Sequence, residues 1–285
     1  MTLDLGAPEL LVDPYPFFDA ARADGDVQWH EGLGMFLALS HATANAVLRT
    51  RTLGRVWTPR WPDEPMPGFE LIHLNSLLEN EPPVHTRLRR LVASAFARGH
   101  VERLRPRVAE LASGLADDLS SQDGPVDLIE VYAEPLPVRV IAELLGVPET
   151  DRHHLRPWSN AIVKMYEYAV TPQQRADAEA ASSEFVAYLR ELVARRRMAP
   201  GPDLISSLIV ESDSDGARLS EDELITTCTL LLNAGHEATV NVVGNGLLAL
   251  LNNPDQLDRL RADPSLIPGA VEELIRFDAP LQLFE

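Results

Sequence analysis

The chain has 285 residues, 45% of them apolar and 24% charged, with a net charge of −18 at pH 7. That composition excludes disordered, collagen-like and coiled-coil classes. The acidity excludes a general nucleic-acid or anionic-membrane binder, because phosphate surfaces would repel it.

A single cysteine, Cys228, rules out an intrachain disulfide and fits a reducing cytosol. The N-terminus has no basic start or clean apolar stretch, and no run of about eighteen apolar residues follows. The expectation is a cytoplasmic protein without a membrane span.

In chain order, Pro14 to Ala23 predicts a short helix entered through Asp13. Val27 to His30 and Met35 to Leu39 predict two strands, joined by a turn over 31–34. Ser40 then caps a helix to about Arg49. Residues 53–83, rich in Pro and Gly and holding Trp57 and Trp61, predict a long irregular segment with a short helix near 71–78. Beyond it the pattern is helical: 84–97, 101–121, 128–145, 149–169, 173–198, 203–211, 220–251, 254–262 and 268–277. Gly, Pro and Asp mark the breaks, among them Gly99, Gly146, Pro172, Asp215-Gly216 and Pro254. No repeat and no domain boundary is visible. The expected architecture is mainly α, one domain over 1–285, with a small N-terminal β-sheet.

The 220–251 segment opens on a capping box, Ser220 with Glu223. At 1.5 Å per residue it would run about 48 Å. Leu224, Ile225, Leu232, Val240, Leu247 and Leu251 fall on every face, so the helix is expected to be buried. Its centre reads Asn233-Ala234-Gly235-His236-Glu237-Ala238-Thr239. Small residues at 234, 235 and 238 thin one side beside an acid expected to be buried, Glu237. Glycine and a carboxylate in mid-helix cost stability. Close helix packing explains this notch; so does the approach of something small or flat.

A second cluster begins Glu81-Pro82-Pro83-Val84-His85-Thr86-Arg87-Leu88-Arg89-Arg90. His85 and Arg89, four apart, share a face and form a fork suited to carboxylates or phosphates. Residues 85–107 hold seven arginines (87, 89, 90, 98, 103, 105, 107) and one acid, Glu102, a basic patch in an acidic chain. A solvated face and a dock for an acidic partner both fit it. Glu273 and Arg276, at i,i+3, can pair, and alone read as an ordinary surface pair.

Taken together, these segments resemble the bacterial cytochrome P-450 family. The resemblance rests on the 81–90 segment, on Ala234-Gly235-His236-Glu237-Ala238-Thr239 and on Glu273-Leu274-Ile275-Arg276, in the family's order. It implies the mainly helical P-450 fold, here its N-terminal portion. It implies haem b as cofactor and a soluble haem-thiolate monooxygenase that oxidises a hydrophobic small molecule. Such an enzyme would use dioxygen and two electrons from a ferredoxin and its reductase. Ala234, Gly235 and Ala238 would form the dioxygen notch, and Glu237, with Thr239 beside it, would serve proton delivery. His85 and Arg89 would hold the haem propionates. Glu273 and Arg276 would be a structural pair. Residues 53–83 and the segment near 160–175 would cover the substrate. The basic patch would receive the ferredoxin.

Two departures stand out. The family's alcohol falls on position 238, which is Ala238, so protons would come through ordered water or a hydroxyl of the substrate. The family's axial cysteine, in a Gly-rich loop downstream of the E-x-x-R helix, has no match within the 285 residues; Cys228 reads as a small buried hydrophobe, and the expectation is a fragment. A truncated non-catalytic relative and a helical small-ligand binder are the alternatives. His153-His154 makes only a weak metal signature, and His30, His41, His73 and His100 read as surface or ordinary hydrogen-bonding groups.

Overall fold

The computed structural model describes residues 3–58, 64–97, 100–167, 169–211 and 216–281. Trp61, Arg98, Asp215 and the expected break at Gly99 lie outside them. The chain divides into two compact units, Met1–Val56 with Tyr166–Val170, and Trp57–Met165 with Thr171–Glu285.

The first unit holds α1 (Pro8–Val12), α2 (Tyr15–Arg22), β1 (Val27–His30), β2 (Met35–Ala38) and α3 (His41–Arg49). The strands pair antiparallel, Val27 opposite Ala38 and His30 opposite Met35. Leu3, Leu10 and Leu37 form its small core. His30, expected at the surface or in an ordinary hydrogen bond, is buried. Its Nε2–H donates to Leu3 O at 2.8 Å, and its Nδ1 accepts from Leu33 N at 3.1 Å, which fixes the tautomer.

The second unit holds α4 (Pro67–Leu74), α5 (Val84–Ala97), α6 (His100–Ser120), α7 (Pro135–Leu145), α8 (Leu155–Val163), α9 (Pro172–Met198), α10 (Leu204–Val210), α11 (Glu221–Asn252), α12 (Pro254–Ala262) and α13 (Ile267–Phe277). Three expected elements are corrected. The 71–78 helix begins four residues earlier, at Pro67. The 128–145 helix is a π-helical turn, Ile129–Ala133, followed by α7, because Pro135 cannot continue an α-helical ladder but starts one well. The 149–169 helix is a 3-10 segment (Glu149–His154), then α8, then a short 3-10 turn (Lys164–Tyr166).

The core of this unit lies where α8, α9, α10 and α11 meet. Leu155, Ile162, Phe185, Leu189, Leu192, Leu204, Ile205, Ile225 and Leu232 are essentially solvent-free. Each such side chain contributes about 1.5–3 kcal/mol of burial. The 32-residue α11 starts on the expected capping box: Glu223 N donates to Ser220 Oγ at 3.2 Å, and Ser220 N to Glu223 Oε2 at 2.8 Å. Its N-terminal half is buried on nearly every side, but Leu248 and Leu251 are exposed, so burial all round does not extend to its end.

A polar node ties three helix ends together. Gly146, left-handed at φ 72°, closes α7, and its N–H and that of Val147 satisfy carbonyls of the last turn. Arg196 of α9 donates to Gly146 O at 2.6 Å and pairs with buried Asp203 at 2.7 Å. Asp203 in turn caps α10 through Ser206 N at 2.8 Å. Among the described residues no helix is long and apolar enough to cross a membrane.

Candidate functional site

The long helix carries the notch at its midpoint. Ala234 is exposed, while Leu232, Asn233, His236 and Val240 around it are buried. Ala238, one turn on and on the same face, is half-buried. At these two positions, one turn apart, α11 offers only methyl groups, a surface a flat group can approach. Glu237, expected to be buried, is half-buried at its edge.

Gly235 does not belong to that face. A Cβ on it would come within 2.8 Å of Ile141 Cδ1, so the glycine lets α7 approach α11 closely. The packing explanation holds for Gly235, and the notch narrows to Ala234 and Ala238. Thr239 is exposed and its hydroxyl donates to Gly235 O at 2.9 Å, so it is engaged by its own helix.

His85 and Arg89 stand one turn apart on α5, the first half-buried and the second exposed. Among the described residues, neither side chain has a hydrogen-bond or ion-pair partner. Their neighbour Arg87 points elsewhere, pairing with Glu223 at the head of α11. Burial raises the Glu223 pKa, but its bonds to Arg87 and Ser220 outweigh that and hold it below the usual carboxylate range. Other arginines of the basic patch are likewise neutralised: Arg105 by Glu102, and Arg107 by Glu110 and Glu143.

Glu273 and Arg276 meet in a two-pronged pair, Nε to Oε2 at 2.7 Å and Nη2 to Oε1 at 2.6 Å. Arg276 keeps the Glu273 carboxyl below its ordinary pKa. The pair is exposed on α13, over half of each side chain facing solvent.

The sequence reading passed over two further polar groups on α11. Asn233 and His236, at i,i+3, are buried on the side away from the alanines. His236 Nδ1 lies 3.3 Å from Ser159 Oγ on α8. Burial, and then the Arg156 charge, push its pKa down, so the ring is neutral at pH 7. Two polar groups three apart beside the Leu230–Leu232 run were the available signal. His73 is also buried, its Nδ1–H donating to Phe69 O at 2.7 Å.

The donor set fits haem on one side. An alanine-lined helix face can lie against a flat macrocycle, and an unpaired arginine with a histidine can hold anionic propionates. Cys228 is not the axial thiolate: it is fully buried on α11, and burial, then the charge of Asp203, push its thiol up to about 12. Among the described residues no cluster of His, Cys, Asp or Glu could hold a metal ion.

The cytochrome P450 family model matches residues 152–273. Cytochrome P450 monooxygenase PikC of Streptomyces venezuelae is 44% identical over 98% of this chain, which covers 67% of that protein. Vitamin D(3) 25-hydroxylase of Pseudonocardia autotrophica is 40% identical, covering 98% of this chain and 68% of its own. The crystal structure of P450BioI, solved with hexadec-9Z-enoic acid ligated acyl carrier protein, superposes with a TM-score of 0.87. It is 32% identical and covers 96% of this chain, which spans 70% of it. The chain belongs to the cytochrome P450 family, a family of oxidoreductases that bind haem b.

Proposed function

We propose that this chain supplies the dioxygen side and the propionate clamp of a haem-thiolate monooxygenase. The observation that carries the reading is the pair of alanines at the midpoint of α11, Ala234 exposed and Ala238 half-buried, with buried His236 between them and Glu237 at their edge. The protein would hydroxylate or otherwise oxidise a hydrophobic small molecule, drawing two electrons from a ferredoxin and its reductase. The similarity to a vitamin D(3) hydroxylase supports a largely apolar substrate.

Haem b, when bound, supplies the redox chemistry at dioxygen. His85 and Arg89 would hold its propionates. Glu237, half in contact with solvent, can pass protons into a dry site. The rest of the basic patch would meet the ferredoxin, though several of its cations already have carboxylate partners on this chain.

Ala238 brings no hydroxyl, and the neighbouring Thr239 hydroxyl donates its proton to Gly235 O, leaving only its oxygen lone pairs to accept. Protons then reach the site through ordered water or a hydroxyl of the substrate. The test is Ala238→Thr in the full-length holoenzyme, reading product formed per electron pair. The added hydroxyl should raise this ratio severalfold on a substrate analogue stripped of its hydroxyl, and little on the parent substrate. Equal ratios before and after the change, on both compounds, would refute substrate assistance.

A further inference from the structure

Three polar side chains one turn apart on α9 face one segment. Arg175, Glu179 and Ser183 follow the i, i+4, i+8 spacing of a single helix stripe. Arg175 Nη1 lies 3.1 Å from Glu64 Oε2. The Glu179 carboxylate accepts from Gly68 N at 2.9 Å and from Phe69 N at 3.0 Å. Ser183 Oγ donates to Glu179 Oε1 at 2.9 Å, so the carboxylate is aimed from within its own helix.

These contacts do for α4 what its own sequence does not. Met66, at its N-cap, offers no side-chain bond. The free N–H groups of the first turn, and the positive end of the helix dipole, are met by an anion from a helix more than a hundred residues away in sequence. Gly68 makes the approach possible: a Cβ there would come within 2.8 Å of Ser183 N. On the far side of α4, Thr226 Oγ1 of α11 donates to Leu71 O at 3.3 Å. Trp57 stacks on the same helix, its ring 4.3 Å from that of His73 and 5.8 Å from that of Phe69.

We propose that Glu179 is a latch: it is the positioning residue that holds α4 on α9, and its release is the step by which α4 leaves. Its bearing on substrate admission rests on the reading of 53–83 as the substrate cover; the latch itself does not.

Amide hydrogen exchange on the full chain tests it, comparing wild type with Glu179→Ala and, as an independent disruption, Gly68→Ala. Both variants should speed exchange of the amides over 68–73 by at least about tenfold and leave those of the buried half of α11 unchanged. Trp57 emission should shift in both. Arg175→Gln should have a smaller effect, since Glu64 is 63% exposed. Unchanged exchange over 68–73 in Glu179→Ala would overturn the proposal. So would an equal rise in α11, which would show a general loss of stability instead of a local release. No substrate enters this readout, so a failed latch leaves the cover reading standing, and a failed cover reading leaves the latch standing.

Discussion

Gly146→Ala should destabilise the chain by about 2–5 kcal/mol, measured as a fall in the urea midpoint. Two effects add. At φ 72° the left-handed backbone costs a side-chain-bearing residue about 1–2 kcal/mol. A Cβ would also sit 2.6 Å from both Cβ and Cγ of Asp203, and overpacking of that kind costs about 1–3 kcal/mol. Asp203 has little room to move, because it is buried, paired with Arg196 and bonded to Ser206 N. The loss therefore spreads to the ends of α7, α9 and α10 together. A midpoint equal to wild type would mean that the node does not constrain these helices.

Glu237→Gln, in the full-length holoenzyme, should lower product formation by about 10²–10⁴-fold, the usual worth of a positioned proton donor. The substitution keeps size and removes the charge together with the ability to carry a proton, and haem content and substrate affinity should stay within about twofold. Electron consumption should fall less than product, since the electrons then leave without oxidising substrate. A variant that lost haem, or kept full product yield, would move Glu237 from proton delivery to a structural role.

Parts of this fold were legible because the chemistry is local. The capping box at Ser220 placed the start of α11 to the residue, and its length came from apolar residues recurring without a proline up to Pro254. The i,i+3 spacing of Glu273 and Arg276 sufficed to anticipate their pair. What failed depended on partners distant in sequence. The 53–83 segment read as irregular up to residue 71, and only Glu179 and Ser183 on α9 show why a helix starts around Gly68. Gly235 could be counted among the small residues of the notch, but its direction is set by Ile141 on α7. The basic patch could be read as a solvated face or as a dock, and its two distant carboxylate partners, Glu143 for Arg107 and Glu223 for Arg87, come from other helices. The 149–169 segment kept a helical apolar pattern, which 3-10 and α-helical turns share too closely to separate.

The central claim is that α5 and the alanine face of α11 form one side of a haem site. Its most direct test is a haem titration of the purified chain beside the His85→Ala/Arg89→Ala double variant, followed by Soret absorbance and quenching of tryptophan emission. Each charge-assisted contact is worth about 1.5–3 kcal/mol, so the double variant should bind at least about a hundredfold more weakly than a wild type that saturates at one haem per chain. Equal affinity in the two proteins, or no saturable binding by the wild type, would contradict the account.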